Sequence, residues 1–496
     1  MNIYGQRLIL FFIALSISIP TGCTVGPDFI KPDPAAPDRY TEAPLPLQTV
    51  AAASQTGDAQ HFIFARELPA QWWKLFGSSE LDALIKKGLE KNPSLAAAQA
   101  ALRKSEEDLR AIQGSTLFPA VNANLQATRQ RTSGNVNQEA SSTYNLYNTS
   151  VGVSYTLDIF GGGRRQIESY QAQADYQRFI FEATYLTLTA NIVTTAIQEA
   201  SLRAQLAATR EIITAEEKLL DLLGRQFELG AVAKAAVLAQ ETQVAVTRAG
   251  LPPLEKQRGT TRHALAVLVG SFPGEGGLPR FNLDSLQLPK DLPVSLPSDL
   301  ARRRPDIQAS ESLLHQASAA VGVATANMYP QITLSASYGF QATGTDILFN
   351  GQSVAWSLGA GLLQPIFRGG ELAAKRRSAM AAYDQAAAKY RETVLKAFQE
   401  VADALHALET DARTLQAQTD ARTAAGAALT LIEKQYKLGA VSFSALLIAQ
   451  RDYQKASISV VTARAQRHSD TAALFQSLGG GWWSRSQASG GELKKQ

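Results

Sequence analysis

At 496 residues the chain is longer than one hydrophobic core usually serves, which calls for several domains or an elongated repeat. Its 45% apolar and 19% charged content is that of a folded chain and excludes a disordered one, while a net charge of +4, with Lys and Arg spread among Asp and Glu, gives no support for nucleic-acid binding. A single cysteine excludes an intramolecular disulfide and a Cys-ligated zinc site, and the five scattered histidines offer no chelating pair.

The N-terminus carries Arg7, a nearly all-apolar run from Leu8 to Ile19, and Pro20-Thr21-Gly22-Cys23, the layout of a secretory signal over 1–22. A lone cysteine directly after a small residue at the end of a signal resembles a bacterial lipobox, with Pro20 where that motif usually has Leu; Cys23 is therefore the expected lipidation site. Beyond this segment no run reaches the ~20 apolar residues of a spanning helix, so a membrane crossing would use strands. Six prolines between Val25 and Ser54 deny helix interior and predict an extended tether, followed by Trp72-Trp73 as packing anchors; together these form a segment over 23–78.

A first repeat is expected over 79–290. Asn92-Pro93-Ser94-Leu95 opens a helix ended by Phe118-Pro119. Val121, Ala123, Leu125 and Ala127 then alternate with polar residues, as do Val151, Val153, Tyr155 and Leu157, which predicts strands at about 119–131 and 148–158. Gly161-Gly162-Gly163-Arg164-Arg165 could suggest phosphate binding, but a strand-to-helix corner accounts for it. Long helices are predicted at about 164–228 and 234–269. In the first, Leu186, Ala190, Val193, Ile197, Ala200 and Ala204 step alternately by four and three, the coiled-coil period. Pro252-Pro253 must break or kink the second.

A Pro-rich linker leads to a second repeat over 298–479, with Arg304-Pro305-Asp306-Ile307 echoing Asn92-Pro93-Ser94-Leu95 and Tyr329-Pro330 echoing Phe118-Pro119. Strands are predicted at about 330–341 and 353–363 and helices at about 371–437 and 442–478, with Val394, Phe398, Val401, Leu405, Leu408, Ala412 and Leu415 keeping the four-three step. A Gly/Ser/Lys tail over 480–496 shows no structural signal. The hinge of each repeat is one short sequence, Leu229-Gly230-Ala231-Val232 and then Leu438-Gly439-Ala440-Val441, the glycines 209 positions apart. Each glycine joins two long helices with no loop, which requires φ > 0 at a helix C′ position and predicts two helical-hairpin tips.

Four strands cannot close a barrel, and an open edge is not tolerated in lipid. The chain must oligomerise; two copies give eight strands, filled by their own side chains, and three give twelve, which leave a lumen. The fold class is thus mostly α with a transmembrane β-barrel, a duplicated helical-hairpin and strand-hairpin repeat.

Residues over nearly the whole chain resemble the outer-membrane factor (TolC-type) family, in its efflux lipoprotein, NodT-like branch. The matching segments are Cys23-Thr24-Val25-Gly26-Pro27-Asp28-Phe29, Trp72-Trp73, Arg303-Arg304-Pro305-Asp306-Ile307, Pro365-Ile366-Phe367 with Gly369-Gly370, and both Leu-Gly-Ala-Val tips. The resemblance implies a homotrimer, a 12-stranded barrel in outer-membrane lipid continued by an α-helical coiled-coil tunnel in the periplasm. It also implies a periplasmic membrane-fusion adaptor docking at the tips, an inner-membrane transporter of the resistance-nodulation-division class, and passive export of drugs or other small toxic compounds. Thr24 rather than Asp after the cysteine favours outer-membrane sorting by the same analogy. Neither enzyme chemistry nor a cofactor or metal is expected, since no catalytic constellation is present. The periplasmic gate falls on Leu447, Ile448 and Arg451, where relatives often carry Asp in place of Ile448. The alternatives are the duct of a type I secretion system and a non-porous structural periplasmic lipoprotein, the latter opposed by the four alternating strands.

Overall fold

The computed structural model describes residues 24–33, 37, 39–54, 56–133 and 141–484. Cys23, the signal over 1–22 and the tail beyond Ser484 lie outside them. Strand β1 (His61–Phe64) precedes helices α1 (Ser79–Lys91) and α2 (Pro93–Leu117), strands β2 (Ala120–Arg131) and β3 (Thr143–Leu157), and helices α3 (Gly162–Glu228), α4 (Lys234–Ala249) and α5 (Leu251–Leu268). The second half runs β4 (Asp291–Val294), α6 (Pro297–Arg303), α7 (Pro305–Ala326), β5 (Gln331–Ala342), β6 (Val354–Leu363), α8 (Glu371–Lys437) and α9 (Phe443–Ser477). The chain forms two compact units, one from Met1–Pro32, Ala101–Arg178 and Ala309–Arg391, the other from Asp33–Ala100, Phe179–Gln308 and Glu392–Gln496.

The first unit holds a four-stranded antiparallel sheet in the order β2-β3-β5-β6. Its register aligns the period-two pattern across every strand: Val121 faces Val153, Val153 faces Ala336, and Ala336 faces Leu358. One side is therefore a continuous apolar surface, with Leu125, Tyr338, Trp356, Leu358 and Leu362 all exposed. The other side carries hydroxyls that bond across strands, Thr156 to Thr333 at 3.3 Å and Ser337 to Ser357 at 2.8 Å. Apolar outward and polar inward is the pattern of a barrel wall in lipid. β3 starts at Thr143, earlier than the sequence pattern suggests, because Tyr144 to Ser150 pair with β2 through backbone bonds that polar side chains do not disturb.

The second unit is mostly helical, with β1 and β4 paired as a small parallel sheet, around a core of Trp72, Trp73, Phe76, Leu188, Ile192, Ile197, Leu405, Leu408 and Phe475. Both tryptophans are buried, and Trp73 donates its indole N–H to Asp82 at 2.9 Å. On α8 the buried positions Val401, Leu405, Leu408, Ala412 and Leu415 keep the four-three step, as Leu186, Ala190, Val193, Ile197 and Ala200 do on α3. That packing also explains why α3 contains an 18-residue window with mean hydropathy 1.2, long and apolar enough to span a membrane by composition, which the sequence reading did not anticipate. The return segment expected as one helix over 234–269 is two: Gly250 ends α4, and Pro252 and Pro253, which lack the N–H a helix interior needs, sit at the first turn of α5. Glu199, fully buried on α3, holds this broken segment through Arg258 at 3.0 Å and Arg262 at 3.3 Å on α5. The start of the tail is packed rather than structureless. Trp482 donates to the Arg303 carbonyl at 2.6 Å, and the Arg303 guanidinium lies over the Trp483 ring.

Candidate functional site

Both glycine tips have the geometry their sequence requires. Gly230 has φ 73° and Gly439 φ 72°. The Ala231 amide donates to the Gln226 carbonyl at 2.7 Å and Gly230 to Phe227 at 2.9 Å; Ala440 to Gln435 and Gly439 to Tyr436, both at 2.9 Å, repeat the pattern. These paired bonds satisfy the last carbonyls of α3 and α8 in the Schellman arrangement. Ser442 then caps α9 by accepting from the Ala445 amide. The two tips lie side by side, since Leu219, Leu222 and Val232 of the first repeat line one groove with Tyr436, Val441 and Leu446 of the second. Leu229 and Leu438 stand out from it, 84% and 83% exposed, a pair of apolar side chains that nothing among the described residues covers.

The three expected gate residues fall on one arc of α9, Arg451 lying between Leu447 and Ile448, with buried Leu446 and Ala449 on the far side. Leu447 and Arg451, one turn apart on α9, line a cleft with Gln243 and Thr247 of α4. Ile448, on the same arc, is 56% exposed and does not line the cleft. Among the described residues no carboxylate stands within ion-pair distance of Arg451. Gln243 and Thr247 of that cleft also bond a buried carboxyl of α3. Glu216 of α3 accepts from Gln243 and Thr247, both at 3.1 Å, and burial raises its pKa above the ordinary carboxylate value.

Two clusters were not legible in the sequence. In the first unit the residues after Cys23 form a strap. Val25 donates to the Phe160 carbonyl at 3.1 Å, Asp28 accepts from Arg165 at 2.5 Å, and Phe29 stacks on His315 at 4.3 Å, with His315 in turn 2.8 Å from Glu168. Gly26 and Gly322 permit the approach, because a Cβ on Gly26 would come within 2.5 Å of the Gly322 Cα. The motif Val25-Gly26-Pro27-Asp28-Phe29 was visible, but its partners lie far along the chain. At the strand-to-helix corner the Asp158 carboxylate accepts from the Gly163 and Arg164 amides at 2.9 and 2.8 Å, so the amides a phosphate would need are already occupied.

In the second unit the Asp411 carboxyl on α8 lies beside Asp470 on α9. Burial first, and then the neighbouring carboxyl, push Asp411 up to about 8. A carboxyl whose pKa is higher folded than unfolded holds its proton more tightly in the folded state, so stability falls as pH rises from the usual carboxylate range through about 8. Asp411→Asn removes that titration. Its thermal midpoint is expected to exceed the parent's above pH 8 and to lose the advantage near pH 5, and parallel midpoint-against-pH curves for the two proteins would refute the assignment. Among the described residues no group of three or more His, Cys, Asp or Glu could hold a metal ion.

A duplicated strand hairpin with an apolar outer face, in one chain with paired coiled-coil helices, is matched by a known profile. The outer membrane efflux protein family matches residues 84–271 and 296–480, one segment for each repeat. The chain belongs to this family. It is 33% identical over 427 residues to the pyoverdine export outer membrane protein OpmQ of Pseudomonas aeruginosa, covering 84% of this chain and 88% of that one. It is 31% identical over 485 residues to the probable efflux pump outer membrane protein TtgC of Pseudomonas putida, covering 96% of each. Among solved structures, the outer-membrane channel OprN superposes with a TM-score of 0.84 at 29% identity, over 93% of this chain and all of that one. The chain is accordingly an outer-membrane efflux channel, a passive duct and not an enzyme.

Proposed function

We propose that this channel is the outer-membrane duct of a tripartite drug-efflux pump, working as a lipid-anchored homotrimer. A periplasmic adaptor seats on the Leu229–Val232 and Leu438–Val441 tips, and the inner-membrane transporter is of the resistance-nodulation-division class. The observation that carries this reading is the open four-stranded sheet, exposed and apolar on one side and hydroxyl-lined on the other. Both of its edge strands, β2 and β6, present unpaired backbone groups that lipid would not solvate. Three copies close these edges into twelve strands with a lumen wide enough to pass small molecules. Relatives named for toluene and antibiotic efflux favour small toxic compounds as cargo over the polypeptides of a secretion duct. The pump selects the cargo, because a water-filled lumen discriminates little.

Purified protein reconstituted in a planar bilayer is expected to give discrete conductance steps, and a preparation that sits in the bilayer without conducting would sink the duct reading in favour of a structural lipoprotein. The anchor is tested separately. Cys23→Ser is expected to leave the signal uncleaved by the lipoprotein pathway, whereas the parent's mature N-terminus should carry acyl mass on Cys23; an unmodified cysteine in the mass spectrum of the parent would overturn the assignment.

A further inference from the structure

Helix α4 is a lever of 16 residues set between the first tip and the break at Gly250. At 1.5 Å per residue it reaches about 24 Å. Its buried face is small, made of Gln240, Val244 and Thr247. Two of these side chains are polar, and both bond to one residue of α3, Glu216. By contrast, α9 leaves the second tip with apolar Leu446, Ala449 and Ala456 buried over its first turns. One hairpin is closed by apolar packing and the other through a carboxyl.

Glu216 is buried, 3% exposed. Gln240 donates its amide to the Glu216 backbone carbonyl at 2.9 Å, and Gln243 and Thr247 both meet carboxyl Oε1 at 3.1 Å. The other oxygen, Oε2, is buried and has no hydrogen-bond partner among the described residues, and the same holds for Oε1 of Gln240. Two buried acceptors at one helix interface are thus left without a donor. An ionised carboxylate would place negative charge there with half of it unsatisfied, which is costly away from water. One proton on the carboxyl removes the charge and supplies the missing donor.

Among the described residues no cation stands in for that proton. Arg248 of α4 pairs with Glu217, and Arg210 of α3 pairs with Glu255 of α5. Glu211 and Lys218 of α3 and Glu241 of α4 are exposed, and Arg451 of α9 lines the cleft with Gln243 and Thr247 without an ion pair to Glu216. Burial accordingly raises the Glu216 pKa, with the bonds from Gln243 and Thr247 pulling the other way. The lever also has its hinge. Pro252 and Pro253 lack the N–H groups that would bond the Arg248 and Ala249 carbonyls, so no helical ladder crosses the break. Beyond it, α5 is held independently by Glu199 through Arg258 and Arg262.

We infer that Glu216 is a proton-operated latch: the protonated carboxyl holds α4 on α3, and its ionisation frees α4 to swing about the break at Gly250. A carboxyl that binds its proton more tightly in the packed state favours packing below the ordinary carboxylate range and ceases to do so as pH rises above it. Acid therefore fixes the first tip and higher pH loosens it, while the second tip, closed by apolar packing, does not respond. The latch is independent of what docks at the tip, so its failure would leave the adaptor reading untouched.

Hydrogen exchange of the purified full-length channel, read by mass spectrometry over the α4 amides from about pH 5 to about pH 9, tests the latch. Glu216→Gln keeps an oxygen for Gln243 and Thr247 and puts a permanent N–H donor where the proton would sit. Comparing parent and variant at the same pH cancels the intrinsic pH dependence of exchange and the titration of Asp411, which both proteins share. The two should exchange alike at the acid end. At the basic end the α4 amides of the parent should exchange about tenfold faster than those of the variant, the worth of one pKa unit, with α9 amides equal in both. A parent-to-variant ratio over α4 that does not change with pH would overturn the latch, and a rise shared by α9 would show general loosening instead. Gln243→Met removes one donor to the carboxyl and keeps the carboxyl itself. Losing that donor favours the neutral form, so the pH at which α4 loosens should move up. A transition that stays in place or moves down would show that the hairpin is not held through this proton.

Discussion

Replacing Gly439 or Gly230 by valine is expected to abolish export while the channel still folds, inserts and oligomerises. Both glycines sit at φ near +70°, where a β-carbon costs about 1–2 kcal/mol and a β-branched one more. Among the described residues nothing lies within 4 Å of where a Cβ would stand at either site, so the cost is backbone strain and no described neighbour has to move. That strain is relieved locally, by unwinding the last turn of α3 or α8 and losing the bonds from Ala231 to Gln226 or from Ala440 to Gln435. The core around Trp72 and Leu405 does not feel it. What does move is Leu229 or Leu438, the exposed apolar pair that the docking reading places under the adaptor. A loss of about 2 kcal/mol at such a contact is already roughly thirtyfold in affinity. Drug susceptibility of cells carrying each variant, read beside the amount of oligomer in the outer membrane, is the measurement. Alanine should give an intermediate loss. Full resistance in the valine variants would mean that the adaptor seats elsewhere.

These tips were readable from sequence because a glycine between two unbroken helical patterns leaves only one conformation open. The coiled-coil helices were readable for a related reason: Val401, Leu405, Leu408, Ala412 and Leu415 can be buried together only on a helix stepping by four and three. The strand faces followed from period two, and the ladder from Val121 to Leu358 aligns them. What escaped was whatever depends on contact between distant segments. No local pattern says that Asp28 meets Arg165, that Phe29 meets His315, or that Asp411 lies beside Asp470. The early start of β3 escaped because Asn145, Asn148, Thr149 and Ser150 put polar side chains on both faces and break the period of two, and Trp482 because a Gly-rich run masks the packing that follows it.

The gate therefore divides into two parts with different tests. Leu447 and Arg451 line the cleft against α4, whereas Ile448, on the same arc of α9, is exposed and lies outside the cleft. On the proposed threefold arrangement the exposed isoleucines converge on the axis and bar ions by dewetting a narrow ring, since no water lies between closely opposed apolar side chains. Ile448→Asp should wet that ring and line it with carboxylates. The reversal potential under a KCl gradient is expected to move toward cation selectivity, with the shift shrinking as salt rises. On the same proposal Arg451 acts through the cleft it lines with α4. Its side chain lines the cleft between α9 and α4, so Arg451→Ala removes the aliphatic stem and the charge from that cleft. The closed state should loosen, seen as a larger open fraction in single-channel records with unchanged ion preference. Ile448→Asp, by contrast, should change preference more than open fraction. If both variants conduct like the parent at every ionic strength, the constriction lies at another level of the tunnel and α9 has no part in closing it.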